Sequence, residues 1–233
     1  MDFDARRPNA DDAARSARRL EAFVLDASFP CLGARSAINT GRSHIGSYGR
    51  LGDGGSPRLQ SLCNALAAFS AAYPDPGEAP VTCIALFDDD VGDEKDFELR
   101  LWRHLQALHQ CDRLDFDWAP GVSSDPQSSD FSFSIAGRAF FVVGLHPRAS
   151  RLSRRAPLPC IAFNFHDQFE QLRTSGKYAK MQHVIRGRDV ALQGDANPVL
   201  SRFGEASEAR QYAGRAVGAD WRCPFRPGAP HGR

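Results

Sequence analysis

One histidine and four arginines stand close together near the middle of the sequence. His146 ends an apolar run, and Arg148, Arg151, Arg154 and Arg155 follow it. Guanidinium groups pair with carboxylates or phosphates through two parallel hydrogen bonds. A residue at the end of a strand is also held firmly while it stays reachable from outside. The spacing therefore predicts an anion-binding site, although a solvated basic turn explains the same pattern equally well.

Two further side chains are candidates for binding a metal or taking part in catalysis. His166 lies where the apolar run 160–165 meets a predicted helix, and the helix dipole there favours a neutral imidazole. Cys31 lies between Pro30 and small residues, and a fixed, accessible thiolate is a nucleophile or a metal ligand. The alternatives are a helix-capping role for His166 and a buried, inert thiol for Cys31.

Two carboxylates near the C-terminus form a third candidate site. Glu205 and Glu208 are three residues apart in a helix predicted over residues 205–214, so they would lie on one face. Paired carboxylates perform acid–base chemistry or bind a cationic substrate. An exposed surface pair is the alternative interpretation.

Composition and missing motifs exclude several classes of protein. The 233 residues carry 29 Lys and Arg against 28 Asp and Glu, and this balance argues against nucleic acid or an anionic membrane as the main partner. The sequence lacks the glycine-rich signatures of dinucleotide binding and of P-loops, and the serine hydrolase elbow. The six cysteines are widely spaced, without a CxxC pair. Without an apolar leader or a long apolar run, we expect a cytoplasmic protein with reduced thiols.

The elements that would position these residues follow from hydrophobic periodicity. Residues 131–135 alternate apolar and polar, and Ala136-Gly137 turns the chain into the apolar run 138–145, which predicts a β-hairpin. The run 160–165 predicts another strand, and helices are predicted over residues 11–29, from 57 to about 73, and over 166–173 and 177–188. Residues 39–55 contain six glycines and indicate a mobile loop. We expect an α+β fold with a mainly antiparallel sheet, a single domain over residues 10–225, a frayed segment 1–9 and a disordered tail 226–233.

Long stretches of the chain resemble the YqcI/YcgG family from about Phe29 to Phe225. They are FPCLGA (29–34), DFSFSIAGRAFFVVGLHPRASRLSRR (130–155), FNFHDQFEQLR (163–173), IRGRDVALQGDANP (185–198), FGEASEARQYAGR (203–215) and WRCPF (221–225). The chain departs from many relatives at Asn164-Phe165-His166, where those relatives carry Asn-Pro-His.

The resemblance implies a haem-dependent N-oxygenase that hydroxylates a guanidine or amine nitrogen of an arginine-like or small amine metabolite. It implies haem b, O₂ with reductant or peroxide, an external electron donor such as a separate reductase, and a small-molecule substrate; a homodimer is compatible with it. Arg148, Arg151, Arg154 and Arg155 would then face the haem propionates. The phenylalanine-rich hairpin (Phe131, Phe133, Phe140, Phe141) would supply the apolar walls.

The iron ligand stays open among Cys31, His146 and His166. Thiolate ligation favours O–O cleavage, so we favour Cys31, with His146 next. His166, Glu205 and Glu208 are then candidates for catalysis, the two carboxylates as partners of a substrate guanidinium. The alternative is a haem- or anion-binding sensor or carrier without N-oxygenase turnover.

Overall fold

The computed structural model describes residues 10–195, 197–198 and 204–228. The helices in this part of the chain are α1 (Ala10–Leu25), α2 (Leu32–Asn39), α3 (Pro57–Ala72), α4 (Glu94–Asp112), α5 (His166–Thr174), α6 (Lys177–Gln193) and α7 (Ala209–Tyr212). The strands are β1 (Ser43–Ser47), β2 (Thr82–Leu86), β3 (Phe133–Ile135), β4 (Arg138–Leu145) and β5 (Cys160–Phe165), and a short 3₁₀ turn covers Leu152–Arg154. The segment 1–9 and residues 229–233 of the expected tail lie outside the described residues.

The five strands form one mixed sheet in the order β1-β2-β5-β4-β3. The β2–β5, β5–β4 and β4–β3 pairs are antiparallel, and the β1–β2 pair is parallel. Helices pack around this sheet. The predicted α+β fold with a mainly antiparallel sheet is therefore confirmed.

The hairpin of β3 and β4 forms as predicted, with Ala136 and Gly137 as its two turn residues. Both have positive φ, 53° and 68°, as a tight hairpin turn of this length requires. Alanine is rare in that conformation. The Asp112 carboxylate at the end of α4 accepts the Ala136 N–H at 2.8 Å, which helps to hold the turn.

Three local predictions need correction. The glycine-rich segment 39–55 is not entirely loop, because Ser43–Ser47 forms β1, an edge strand whose backbone pairs with β2. Its sequence, SHIGS, has little apolar character, so its order depends on the neighbouring strand. The first helix ends at Leu25 instead of residue 29, and the helix expected from residue 205 begins only at Ala209.

The two faces of the sheet are covered by different helices. One face packs against α3 and α4 in a large core that is rich in aromatic side chains, including Phe97, Trp102, Phe140 and Phe163. We call it the closed face. The other, which we call the cavity face, meets α1 through Leu20 and its neighbours and lies beneath α2, α5 and α6.

The chain stays packed beyond residue 225 for as far as it is described. The Arg226 N–H donates to Gln106 Oε1 at 2.8 Å, and Gln106 Nε2 donates to the Arg226 carbonyl at 3.0 Å. The Gly228 N–H donates to His109 Nε2 at 3.3 Å. Among the described helices, none combines the length and the apolar character that crossing a membrane requires.

Candidate functional site

One candidate site is a cavity of about 280 Å³ between the cavity face and helices α1, α2, α5 and α6. We call it cavity A. Its volume is near the lower end of the roughly 300–1,000 Å³ typical of ligand sites. Most of its lining is apolar, with contributions from Leu20, Val24, Phe29, Ala34, Ile38, Ile84, Phe141, Val143, Leu145, Ala162, Phe169, Leu172, Met181 and Ile185.

Strand alternation determines which sheet residues line cavity A. Successive side chains of a strand point to opposite faces. Phe141, Val143 and Leu145 of β4 therefore line the cavity together with alternate residues of β5, whereas Phe140 and Val142 belong to the closed core. The sheet therefore contributes alternate residues of β4 and β5 to the wall of cavity A.

Cys31 lines cavity A at the beginning of α2. It is the N-cap of that helix, with extended backbone, and its Sγ accepts the Ala34 N–H at 3.5 Å. Burial raises the pKa of the Cys31 thiol, against the opposing influence of the Ala34 and Gly33 N–H groups and the Arg154 charge. In the absence of a ligand the group is therefore a neutral thiol at neutral pH.

A second thiol, that of Cys160, lines the same cavity from β5. Its side chain is fully buried, and burial raises its pKa to about 12. Sequence reasoning did not single out Cys160. The alternation of the run 160–165 would have placed it on the same face as Ala162 and Asn164.

Arg154 is the one member of the arginine cluster that lines cavity A. Its guanidinium donates to the Gly144 carbonyl at 2.9 Å and to the Gln211 carbonyl at 3.3 Å. Burial lowers its pKa to about 10, so the group stays cationic at neutral pH. This partly buried cation beside an apolar cavity offers a counter-charge to an anionic group inside it.

The other three arginines bind separate parts of the chain. Arg151 forms ion pairs with Asp189 at 2.6 Å and Asp195 at 2.8 Å. The other two donate to backbone carbonyls, Arg148 to that of Val91 and Arg155 to that of Ala149. The expected patch of four convergent guanidiniums is therefore not assembled around cavity A, because three of them are used to hold loops and helices together.

His146 lies on the opposite side of the sheet from Cys31. Its ring stacks on Phe97 of α4 at 4.2 Å between centroids and is almost completely buried. Burial lowers its pKa to about 4, so the imidazole is neutral at physiological pH. Its Nδ1 has no hydrogen-bond partner among the described residues. The two predicted metal ligands, Cys31 and His146, therefore do not share a site.

A smaller cavity of about 160 Å³, which we call cavity B, adjoins cavity A. The two share five lining residues: Phe141, Phe169, Met181, Ile185 and Arg186. Cavity B is further lined by Arg173, Tyr178, Gln182, Glu208 and Gln211. The sequence did not predict that α6 contributes to both cavities, because the exposed and buried residues of this helix follow no clear helical period.

Glu208 and His166 come together beside cavity B. Glu208 is only 4% exposed, and its Oε2 accepts from the Ser132 hydroxyl at 3.1 Å and the Tyr212 hydroxyl at 3.3 Å. Its Oε1 lies 3.8 Å from His166 Nδ1, and His166 Nε2 lies 3.4 Å from Glu170. The sequence identified both residues but not their contact.

Glu205 is separated from this arrangement. It is exposed, precedes the start of α7 and lines neither cavity A nor cavity B. The predicted pair of Glu205 and Glu208 on one helical face is therefore wrong, because the segment between them is not helical.

The phenylalanine walls expected around a cofactor also need correction. Phe131, Phe133 and Phe140 are fully buried in the closed core, and of the four only Phe141 lines a cavity. The remaining walls come from helices that flank the sheet.

The donor chemistry of cavity A fits a haem. Residues 10–195, 197–198 and 204–228 contain no cluster of three or more His, Cys, Asp or Glu side chains placed to hold a metal ion. A porphyrin supplies its own equatorial nitrogens and needs only an axial ligand from the protein. Cavity A offers a thiol, an apolar lining and a partly buried guanidinium, which match the iron, the macrocycle and a propionate.

Comparison with known proteins identifies a family without identifying an activity. Neither the curated proteins nor the solved structures contain a match to this chain. The model of the YqcI/YcgG family matches residues 20–226, a range that includes every residue lining the two cavities. The chain therefore belongs to the YqcI/YcgG family.

Proposed function

We propose that the protein is a haem-dependent N-oxygenase that hydroxylates an amine or guanidine nitrogen, with cavity A as its haem site. The single observation that carries the proposal is the combination of a thiol and a partly buried guanidinium on an apolar cavity. The resemblance of the sequence to family members with this chemistry supports the same assignment. When bound, the haem would supply the redox centre that activates either O₂, with electrons from an external donor, or peroxide, which needs no donor.

Cys31 is the residue best placed to hold the iron. Its Sγ lines cavity A, whereas the His146 ring packs against α4 on the closed face. Since the thiol is neutral without a ligand, iron binding must displace its proton. The Ala34 N–H at 3.5 Å and the Arg154 charge would stabilise the thiolate that remains.

Two guanidiniums would pair with the haem propionates. Arg154 is held in place by its two carbonyl partners, and Arg186 of α6 is exposed and lines both cavities. Each can form charge-assisted hydrogen bonds with a carboxylate. This pair replaces the four clustered arginines that the sequence indicated.

His166 and Glu208 would act as an acid–base pair next to the substrate. Their 3.8 Å separation joins an imidazole to a carboxylate next to cavity B, which adjoins cavity A. Such a pair can accept or return a proton at a substrate nitrogen. The apolar lining of cavity A would limit the access of water.

Absorption spectra of the ferric, ferrous and ferrous–CO protein, purified after expression with ample haem, test this assignment. We expect a Soret band and a thiolate-type ferrous–CO spectrum. Cys31→Ser should lose the thiolate signature while keeping the fold, since serine is also a good helix N-cap. Cys160→Ala removes the other thiol of cavity A and should leave the spectrum unchanged.

Two results would overturn the proposal in different ways. Colourless protein contradicts a haem site in cavity A, and an unchanged spectrum in Cys31→Ser contradicts Cys31 as the iron ligand. Coloured protein that makes no N-hydroxylated product from arginine, other guanidines or simple amines, with O₂ and reductant or with peroxide, favours a sensor or carrier.

A further inference from the structure

We infer that Cys63 of α3 and Cys111 of α4 form a reversible disulfide when the protein meets a low-molecular-weight disulfide. Both residues are free thiols in the structure, so the bond would be a modification that joins the two helices of the closed face. The inference does not rest on the proposed function, because neither residue lines cavity A or cavity B.

The first argument is the contact between the two thiols. The Cys63 thiol donates a hydrogen bond to Cys111 Sγ, and Cys111 Sγ donates in turn to Gln60 Oε1 at 2.9 Å. Gln60 and Cys63 are three residues apart on α3, so their side chains are neighbours on the helix surface that meets Cys111. Disulfide geometry is narrow, and it requires two side chains that already meet in this way.

The second argument is the difference in access between the two thiols. Cys111 is half-buried, whereas Cys63 is only 7% exposed and belongs to the closed core. Burial, together with the hydrogen bond to Cys111, raises the pKa of Cys63 to about 12. A dissolved oxidant would therefore react first at Cys111, and Cys63 would then resolve the mixed disulfide.

Oxidised glutathione is a suitable oxidant, and its exchange with the pair takes two steps. In the first, the Cys111 thiolate attacks one glutathione sulfur, the S–S bond of glutathione breaks, and one glutathione thiolate leaves. In the second, the Cys63 thiolate attacks Cys111 Sγ, displaces the other glutathione and forms the protein disulfide. The two cysteine protons pass to the two glutathione thiolates. The protein thus loses two electrons, which reduce the oxidant.

The remaining cysteines have different surroundings. Three are buried, and burial raises the pKa of each to about 12: Cys83, Cys160 and Cys223. Cys31 is half-buried like Cys111, but its Sγ accepts a backbone N–H, that of Ala34. Cys31 is therefore the matched control for Cys111, equal in access and different in partner.

Peptide mass spectrometry of the full-length protein tests the inference after incubation with oxidised glutathione at mildly alkaline pH and alkylation of the remaining thiols. We expect a peptide containing Cys63 linked to one containing Cys111, with a mass two hydrogens below their sum, and its disappearance on treatment with dithiothreitol. Cys111→Ser should abolish the link. Cys31→Ser should retain it.

A buried substitution and a stability measurement complete the test. Cys63→Ala should hold one glutathione on Cys111 and form no link. The linked protein should unfold about 5 °C or more above the reduced protein, because the bond closes a long loop in the unfolded chain, and Cys111→Ser should show no such rise.

Three results would overturn the inference, all of them in the unaltered protein. They are an unmodified Cys111, glutathione that stays on Cys111 without forming the link, and Cys111 bonded to a different cysteine. Because Cys111→Ser changes a half-buried side chain, it decides the matter even if Cys63→Ala does not fold. None of these measurements involves haem, so they succeed or fail independently of the spectroscopic test of cavity A.

Discussion

The two faces of the sheet are formed by alternate residues of the same strands, but one face is closely packed and the other borders two cavities. On the closed face, Phe140 of β4 is fully buried among the rings of Phe69, Phe163 and Phe165. On the cavity face, the next residue, Phe141, is only partly covered and borders both cavities. The comparison indicates that close packing on one face supplies most of the stabilisation of the sheet. The other face can therefore keep open space for a ligand.

The largest expected effect comes from truncating these two neighbours. Phe140→Ala should lower the free energy of unfolding by roughly 3–5 kcal/mol, because it opens a void among close-packed rings. Phe141→Ala enlarges space that already exists and should cost less than half as much. Urea denaturation of the two variants measures the difference, and equal losses would contradict the division between the faces.

A buried carboxylate on the closed face should make stability depend on pH. Burial raises the pKa of Asp112 from 3.8 to about 6, so the folded state binds its proton more tightly than the unfolded chain. Stability should therefore decrease as pH rises from about 4 to about 6, by at most about 3 kcal/mol from this group.

Asp112→Asn should remove that dependence, because an asparagine carbonyl can still accept the Ala136 N–H. Denaturation midpoints at several pH values provide the measurement, with Asp130→Asn, at an exposed carboxylate that does not affect Asp112, as the control. A variant that kept the full pH slope would show that another group causes it. On the cavity face, by contrast, the buried Asp189 is ion-paired with Arg151.

A smaller effect should follow from added methyl groups. A Cβ on Gly144 would lie 2.6 Å from Leu101 Cδ1 and 2.7 Å from Phe97 Cε1, so Gly144→Ala should cost roughly 1–3 kcal/mol through overpacking. Ala162→Val adds its methyl groups towards cavity A and should change stability by less than about 0.5 kcal/mol. Thermal unfolding compares the pair, and a larger loss in Ala162→Val would mean that cavity A is already filled.

Local patterns account for the elements that sequence analysis predicted correctly. The hairpin of β3 and β4, strand β5 and the start of α5 each carry their own signal: period-two alternation, a turn pair, or a change from strand to helix periodicity. Strand β1 carries none, because Ile45 is its one apolar residue and this edge strand is ordered by hydrogen bonds to its neighbour.

The partners of the charged residues could not be predicted in the same way. Arg151 is paired with Asp189, thirty-eight positions later in the chain, and Arg154 reaches the carbonyl of Gln211. All four arginines of the cluster bind acceptors within the chain, and Arg154 also lines cavity A, because the packing of the chain decides which acceptors surround each guanidinium.

By itself, the sequence determined the class of fold, the main strands and helices, and the residues with chemistry to offer, since these depend on composition and short-range periodicity. Only the tertiary structure decided that Cys31 lines cavity A while His146 packs against α4 on the other side of the sheet, and that Glu208 meets His166 beside cavity B. The physical reason is that the face and the neighbours of a side chain are fixed by strand pairing and helix packing between distant segments, which no local pattern encodes.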